Sequence, residues 1–279
     1  MKPLSQKVFN NLKSPFRLYR WWRYQISRKE PHDAVLVTLN GAGTHWMRTM
    51  LSKALVDLYD LDDEIVSIHQ PDLLPTFLNK DHRFKYNHDL NIPRIQQSHS
   101  FYSPLFKRKK VVLLIRDLRD TLVSHYKVLQ TTKGLDVSFS MFLKGEGFDS
   151  KKHHTLKTRI EFLNVWGRSL QHTDLHQIVK FEDLKADTKG NLQQVIEFIG
   201  MPDTTDEQLA SIVDFASIDN MRTMEQRNPH KKLKGKMEKV RKGKSGGYKE
   251  YFNEGDKDYF LETVENNLKH DFGYDFSKW

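Results

Sequence analysis

Three short stretches of this 279-residue chain hold residue types able to grip an anion. The first is Asn40-Gly41-Ala42-Gly43-Thr44, a glycine turn between an apolar run, AVLVTL (34–39), and a segment of helical apolar spacing. Glycines let consecutive backbone N–H groups face one point, and the N-terminus of the following helix adds positive potential, so the turn is an anion cradle in physical terms. No Gly-Lys-Ser/Thr follows it, which argues against the ATP-binding loop of a kinase or ATPase. The second is LLIRDLRDTLVSHYK, where Arg116 closes a buried-type strand and Ser124 lies eight residues on, in the next helix. A guanidinium and a hydroxyl so placed could hold one phosphate, the Arg by a forked pair of hydrogen bonds. The competing reading is a surface Arg paired with Asp117 or Asp120. The third stretch, Arg241-Lys242-Gly243-Lys244-Ser245-Gly246-Gly247-Tyr248, joins clustered positive charge to flexible backbone, as a flap over a phosphate or a solvated loop would.

The elements that must position these stretches read as repeated strand-then-helix units. AVLVTL leads through the turn into THWMRTMLSKALVDLYDL. KKVVLLIRD (109–117) leads into LRDTLVSHYKVL, and HQIVKFEDL (176–184) leads to a helix through GNLQQVIEFIGM (190–201). Continuous apolar runs of β-formers, each followed by a helix, predict a three-layer α/β sandwich with a mostly parallel central sheet. Ligands of such sheets collect at the carboxyl ends of the strands. Residues 34–279 read as one domain. Residues 1–33 read as a basic, aromatic leader interrupted by Pro15 and closed by Pro31, either an interfacial helix on an anionic membrane or a helix packed on the domain. DKDYFLETVENNLKHDFGYDF offers a last helix and an aromatic end.

Composition narrows the classes. Hydrophobic residues make up 38% and charged residues 29%, as in a soluble globular protein. No run approaches the ~20 apolar residues of a membrane span, and the N-terminal residues lack the apolar core of a secretory signal. With no cysteine there is no disulfide framework, thiolate metal site or cysteine nucleophile, which suits a reducing cytoplasm. The net charge of +9 favours an anionic partner. It concentrates in residues 1–30, with eight basic side chains against one acidic, and in 228–244, with eight against Glu238. Two local clusters suggest two local tasks, not a uniform nucleic-acid coat.

In this order and spacing the motifs resemble the cytosolic-type sulfotransferases that use 3'-phosphoadenosine 5'-phosphosulfate (PAPS). TLNGAGTHW resembles that family's 5'-phosphosulfate loop, and VVLLIRDLRDTLVSHY resembles its 3'-phosphate motif. IVKFEDLKADTKGNLQQVIEFIGMP is similar to its Tyr-Glu-Asp-Leu-Lys segment, and RKGKSGGYKEYF to its late Arg-Lys-Gly-x-x-Gly-Asp-Trp loop. The resemblance spans residues 34 to 253 or so and implies a P-loop-like sulfotransferase fold.

It also implies roles. The amides of Gly41, Ala42, Gly43, Thr44 and His45 would take the 5'-phosphosulfate, with the Thr44 hydroxyl as a further donor. Trp46 and Phe181 would contact adenine, and Ser217 and Ile218 would line the purine from the other side. Arg116 and Ser124 would bind the 3'-phosphate, helped by Arg241, Lys242 and Gly243. His99, in Gln97-Ser98-His99, matches the base that takes the acceptor's proton, a task suited to a group whose pKa lies near working pH.

Two departures stand out. Gly41 occupies the position of the family's loop Lys, and Gln97 replaces another Lys. His45 is the nearest residue in sequence to supply the missing charge, with Arg48 and Lys244 further off. The short dimer motif degenerates to Lys249, Asn253, Glu254 and Asp258, so that dimer is not expected. The expected activity is transfer of a sulfuryl group from PAPS to a hydroxyl or amine of a small molecule, sugar or lipid, leaving 3',5'-ADP, with no metal. The alternatives are a catalytically impaired nucleotide-binding relative, or a basic protein that binds nucleic acid or membrane. The expected location is the cytoplasm, with residues 1–30 as a peripheral membrane contact. Segment 66–90 should shape the acceptor pocket; the acceptor itself and the oligomeric state are not encoded in any motif.

Overall fold

The structure is a computed structural model that describes residues 33–67, 73–75, 89, 91–150, 153–227 and 245–279. Four strands, β1 (Ala34–Thr38), β2 (Ile95–Ser98), β3 (Lys110–Ile115) and β4 (Leu175–Lys180), form one sheet in the order β2-β1-β3-β4. Every neighbouring pair is parallel, with Ala34 opposite both Ile95 and Lys110, and Lys110 opposite Leu175. All five residues of β1 are buried, because helices cover both faces. The edge strand β4 is less covered, and Leu175 and Ile178 are exposed.

Two expectations about the sheet need correction. The third expected strand, 176–184, stops at Lys180, and Phe181 opens a short helix. Glu182 and Asp183 sit in its first turn, where acidic side chains favour a helix start. The strand β2, IQQS, was not expected, since its polar residues carry no strand pattern. Its four residues are nonetheless all buried.

The helices fall into two sets by their mutual packing. One set holds α1 (Thr44–Leu58), α5 (Phe181–Ala186), α6 (Thr188–Ile199), α7 (Asp206–Phe215) and α8 (Ile218–Arg227). The other holds α2 (Leu118–Lys133), α3 (Phe139–Lys144), α4 (Leu156–Ser169) and α9 (Glu254–Asn267). The expected three-layer α/β arrangement is therefore present. Past α9 the aromatic end packs inward, with Phe260 against Phe276 and Trp279.

The strand order places the site. From β1 the chain crosses to β2 on one side, then returns past β1 to β3 on the other. This reversal opens a crevice beyond the carboxyl ends of β1 and β3. Among the described residues, no helix is long and apolar enough to cross a membrane.

Candidate active site

The crevice is floored by the turn after β1. Gly41 and Gly43 have φ of +91° and +93°, values that L side chains rarely adopt. Neither position has room for a side chain. A Cβ on Gly41 would lie 2.9 Å from the Ser124 Cβ, and one on Gly43 would lie 2.7 Å from the Phe181 ring. The turn closes on itself where the Ala42 N–H donates to the Leu39 carbonyl at 3.1 Å. That amide serves the turn, whereas the expectation had it on the nucleotide. Gly43 is the N-cap of α1 and carries no capping side chain. The first amides of α1, on Thr44, His45 and Trp46, thus begin a 15-residue helix at the crevice.

The motif after β3 arrives at the same place. Arg116 Nη1 donates to the Gly41 carbonyl at 3.2 Å, and its Nη2 lies 3.1 Å from Asp120 Oδ2. Its guanidinium also stacks on Phe181, 4.1 Å from the ring centroid. The pairing with Asp120 was weighed from the sequence as the alternative to an anion role. The structure shows it together with contact to the glycine turn, so Arg116 is oriented by both. Asp120 Oδ2 in addition accepts the Gly246 N–H at 2.9 Å. The end of the basic glycine-containing stretch is therefore anchored beside Arg116, while Arg241, Lys242, Gly243 and Lys244 lie outside the described residues. So do residues 1–32 and most of segment 66–90.

An aromatic slot borders the turn. Trp46 meets Phe181 edge-on at 5.7 Å, and Met221 of α8 packs against Trp46. Ile218, one turn before Met221, is 39% exposed and offers an apolar face. Ser217 caps α8, its Oγ accepting the Asn220 N–H at 3.4 Å. His45 is half-buried.

His99 follows β2 and meets the end of β1. Its Nδ1 lies 2.8 Å from the Thr38 carbonyl and 3.1 Å from Thr38 Oγ1. A carbonyl can only accept, so Nδ1 carries the proton and Nε2 keeps its lone pair. Thr38 Oγ1 is in turn 2.8 Å from Thr44 Oγ1, which joins the histidine to the first residue of α1. Burial holds the His99 pKa below its ordinary value; the Thr38 carbonyl opposes this, and the charges of Arg48 and Arg159 add to it.

Sequence reasoning missed Arg159, which is fully buried in α4. Its Nη1 donates to the Asn40 carbonyl at 2.9 Å and its Nε to the His154 carbonyl at 3.0 Å. The signal was available: Arg159 interrupts the buried stripe Leu156, Ile160 and Leu163 of α4, where a charge is out of place. His125 and His154 flank it, their rings 5.9 Å apart. Burial, followed by the Arg159 charge, pulls His125 to about 2 and His154 to about 4. Arg48, the weaker candidate for the missing loop charge, donates instead to the Leu74 carbonyl at 2.8 Å. No cluster of metal-ligating side chains is present among the described residues.

A parallel sheet with its glycine turn, basic strand end and histidine gathered at one crevice defines a nucleotide-using transferase. The chain belongs to the sulfotransferase domain family, whose profile matches residues 31–272. It is 23% identical to a flavonol 3-sulfotransferase of Flaveria bidentis, over 98% of this chain and 96% of that one. A cytosolic sulfotransferase of Arabidopsis thaliana is 28% identical over 70% of this chain and 62% of that one. Among solved structures, retinol dehydratase with retinol and PAP superposes with a TM-score of 0.68 at 18% identity, covering 92% of this chain and 87% of that one. A mouse sulfotransferase complexed with PAP superposes at 0.63 and 18%, covering 89% of each. At these identities the superpositions show the fold. Family membership makes the chain a PAPS-dependent sulfotransferase.

Proposed function

We propose that the crevice between β1 and β3 binds PAPS across the glycine turn, and that His99 serves as base toward a small-molecule acceptor. The observation that carries this is the meeting of the two anion-binding motifs at Gly41. Its carbonyl is bonded to Arg116, and a Cβ on it would lie 2.9 Å from the Ser124 Cβ. One nucleotide with a phosphate at each end would span such a cleft. The residues fit the group: helix-start amides and the Thr44 hydroxyl for the 5' end, Arg116 and Ser124 for the 3'-phosphate, and Trp46, Phe181 and Ile218 for adenine. Arg241, Lys242 and Gly243 would join the 3'-phosphate from the late loop.

PAPS supplies an activated sulfuryl group whose departure leaves 3',5'-ADP. The chain's part is to hold donor and acceptor in line and to meet the charge that develops. His99 holds its Nδ1 proton on Thr38, which leaves Nε2 to take the acceptor's proton. Its lowered pKa keeps the imidazole neutral near pH 7. Through Thr38 and Thr44 the base is tied to the loop. His45, at the same helix start, is the loop's own ionisable side chain. The acceptor offers a hydroxyl or amine. The relatives named for flavonols make phenolic hydroxyls the first to try. The cytoplasm, where PAPS-using relatives named cytosolic would work, is the location proposed.

Calorimetric titration with 3',5'-ADP tests the reading. One site is expected, abolished by Arg116→Ala. No binding to the unaltered protein would overturn it.

A further inference from the structure

Arg159 presents an electrostatic problem that the described residues do not solve. Its side chain is fully buried, and its Nη2 has no hydrogen-bond partner among the described residues. Among the described residues no carboxylate lies within ion-pair distance; its two partners are the carbonyls of Asn40 and His154. A carbonyl dipole satisfies an N–H but does not neutralise a formal charge. Leaving a buried charge uncompensated is strongly destabilising. Burial lowers its pKa to about 9, which leaves the guanidinium charged at neutral pH. The neighbouring histidines offer no relief, since both are neutral there and neither is an acid.

The described residues supply no counter-charge, a bound anion would, and position says where. Arg159 holds the residue that begins the glycine turn. Because a trans peptide sets its C=O and N–H on opposite sides, drawing the Asn40 carbonyl toward α4 turns the Gly41 N–H away from α4. Position 41 itself cannot carry a side chain, so no cation can reach the turn from there.

We propose that Arg159 is a positioning residue that places a fixed positive charge beneath the glycine turn, specific for the 5'-terminal anion of the nucleotide and not for its 3'-phosphate. The proposal rests on the nucleotide reading above. It makes Arg116 and Arg159 the electrostatic anchors of opposite ends of one ligand.

The test compares two ligands, 3',5'-ADP and adenosine 3'-phosphate, which differ only in the 5'-phosphate, by calorimetry on three variants. Arg159→Met removes charge and donors, Arg159→Gln keeps donors without charge, and Arg159→Lys keeps charge without the fork. Met and Gln are expected to weaken 3',5'-ADP by roughly 10–100-fold, the scale of a through-space attraction between opposite charges in a partly buried site, and to leave adenosine 3'-phosphate within about threefold. Lys should hold the ratio near that of the unaltered protein. Arg116→Ala should weaken both ligands. Equal weakening of both ligands by Gln, or of neither, would overturn the assignment to the 5' end. Failure of the unaltered protein to bind either ligand would instead overturn the nucleotide reading. If Met does not fold, the Gln and Lys pair decides alone.

Discussion

Replacing Gly41 by Ala separates two costs that the structure keeps apart. The first is conformational. At φ +91° an L-residue pays about 1–2 kcal/mol relative to its preferred regions. The second is overlap. The new Cβ would lie 2.9 Å from Ser124 Cβ, 3.0 Å from its Oγ and 3.1 Å from the Thr121 carbonyl. Overpacking of this kind costs about 1–3 kcal/mol. Together Gly41→Ala should lose about 2–5 kcal/mol, and Tm should fall on the order of 10 °C. Gly134 supplies the control. It caps the C-terminus of α2, the helix that carries Ser124, with φ +63°, and a Cβ there would meet nothing within 4 Å. Gly134→Ala should therefore show the conformational cost alone. Ser124→Gly in the Gly41→Ala background should recover about 1 kcal/mol or more, because it removes two of the three close contacts but leaves the dihedral and Thr121. Urea unfolding of the four proteins reads out each quantity. Should Gly41→Ala cost no more than Gly134→Ala, the turn relaxes freely, and the close approach of the two motifs is not a constraint.

Three further outcomes are expected. His125 and His154 have folded pKa values below the 6.5 of a free histidine, so the stability they contribute is present above pH 6.5 and is lost as pH falls through it. Each should cost about 2 kcal/mol between pH 7 and pH 5. Urea midpoints across that range should fall accordingly, and a flat profile would refute the burial. Asp120→Ala removes both the Arg116 partner and the Gly246 anchor, so 3',5'-ADP affinity should drop about tenfold, with faster amide exchange at Gly246. His99→Ala should lower turnover by about 10²–10⁴ while sparing 3',5'-ADP affinity; equal loss of both would remove its assignment as base.

What the sequence made legible follows from which signals are local. β1 and β3 declare themselves because a strand covered on both faces must be apolar throughout. The glycine turn declares itself because no other residue fits a left-handed φ beside Ser124 and Phe181. IQQS escaped, since its burial comes from neighbours distant in the chain, including the Pro75 carbonyl that accepts the Gln97 N–H. The expected strand ran on from Phe181 to Leu184 because an apolar run alone cannot say where a strand becomes a helix. The Ala42 amide was assigned to the ligand because sequence cannot tell an open nest from a turn that closes on Leu39. Arg116 and His99 were found from motif spacing, but their partners Asp120 and Thr38 could be ranked only once the elements met.

Arg159 shows why the remaining part of the site was hidden. In the sequence Arg116 closes an apolar strand inside a motif, whereas Arg159 interrupts the apolar stripe of a helix outside any motif. In the fold they are opposites. Arg116 is balanced by Asp120, which holds the guanidinium in place without a ligand. Arg159 is balanced by no carboxylate among the described residues, so the relief of its charge waits for a bound anion. An anion reaching both would gain more where the charge is uncompensated, because there it restores neutrality in a medium that water does not screen. The 5' end of the nucleotide, where the sulfuryl group is carried, is then the end that the fold is strained to receive. That strain is invisible in any alignment of motifs and is set by a helix, α4, that contributes no motif at all.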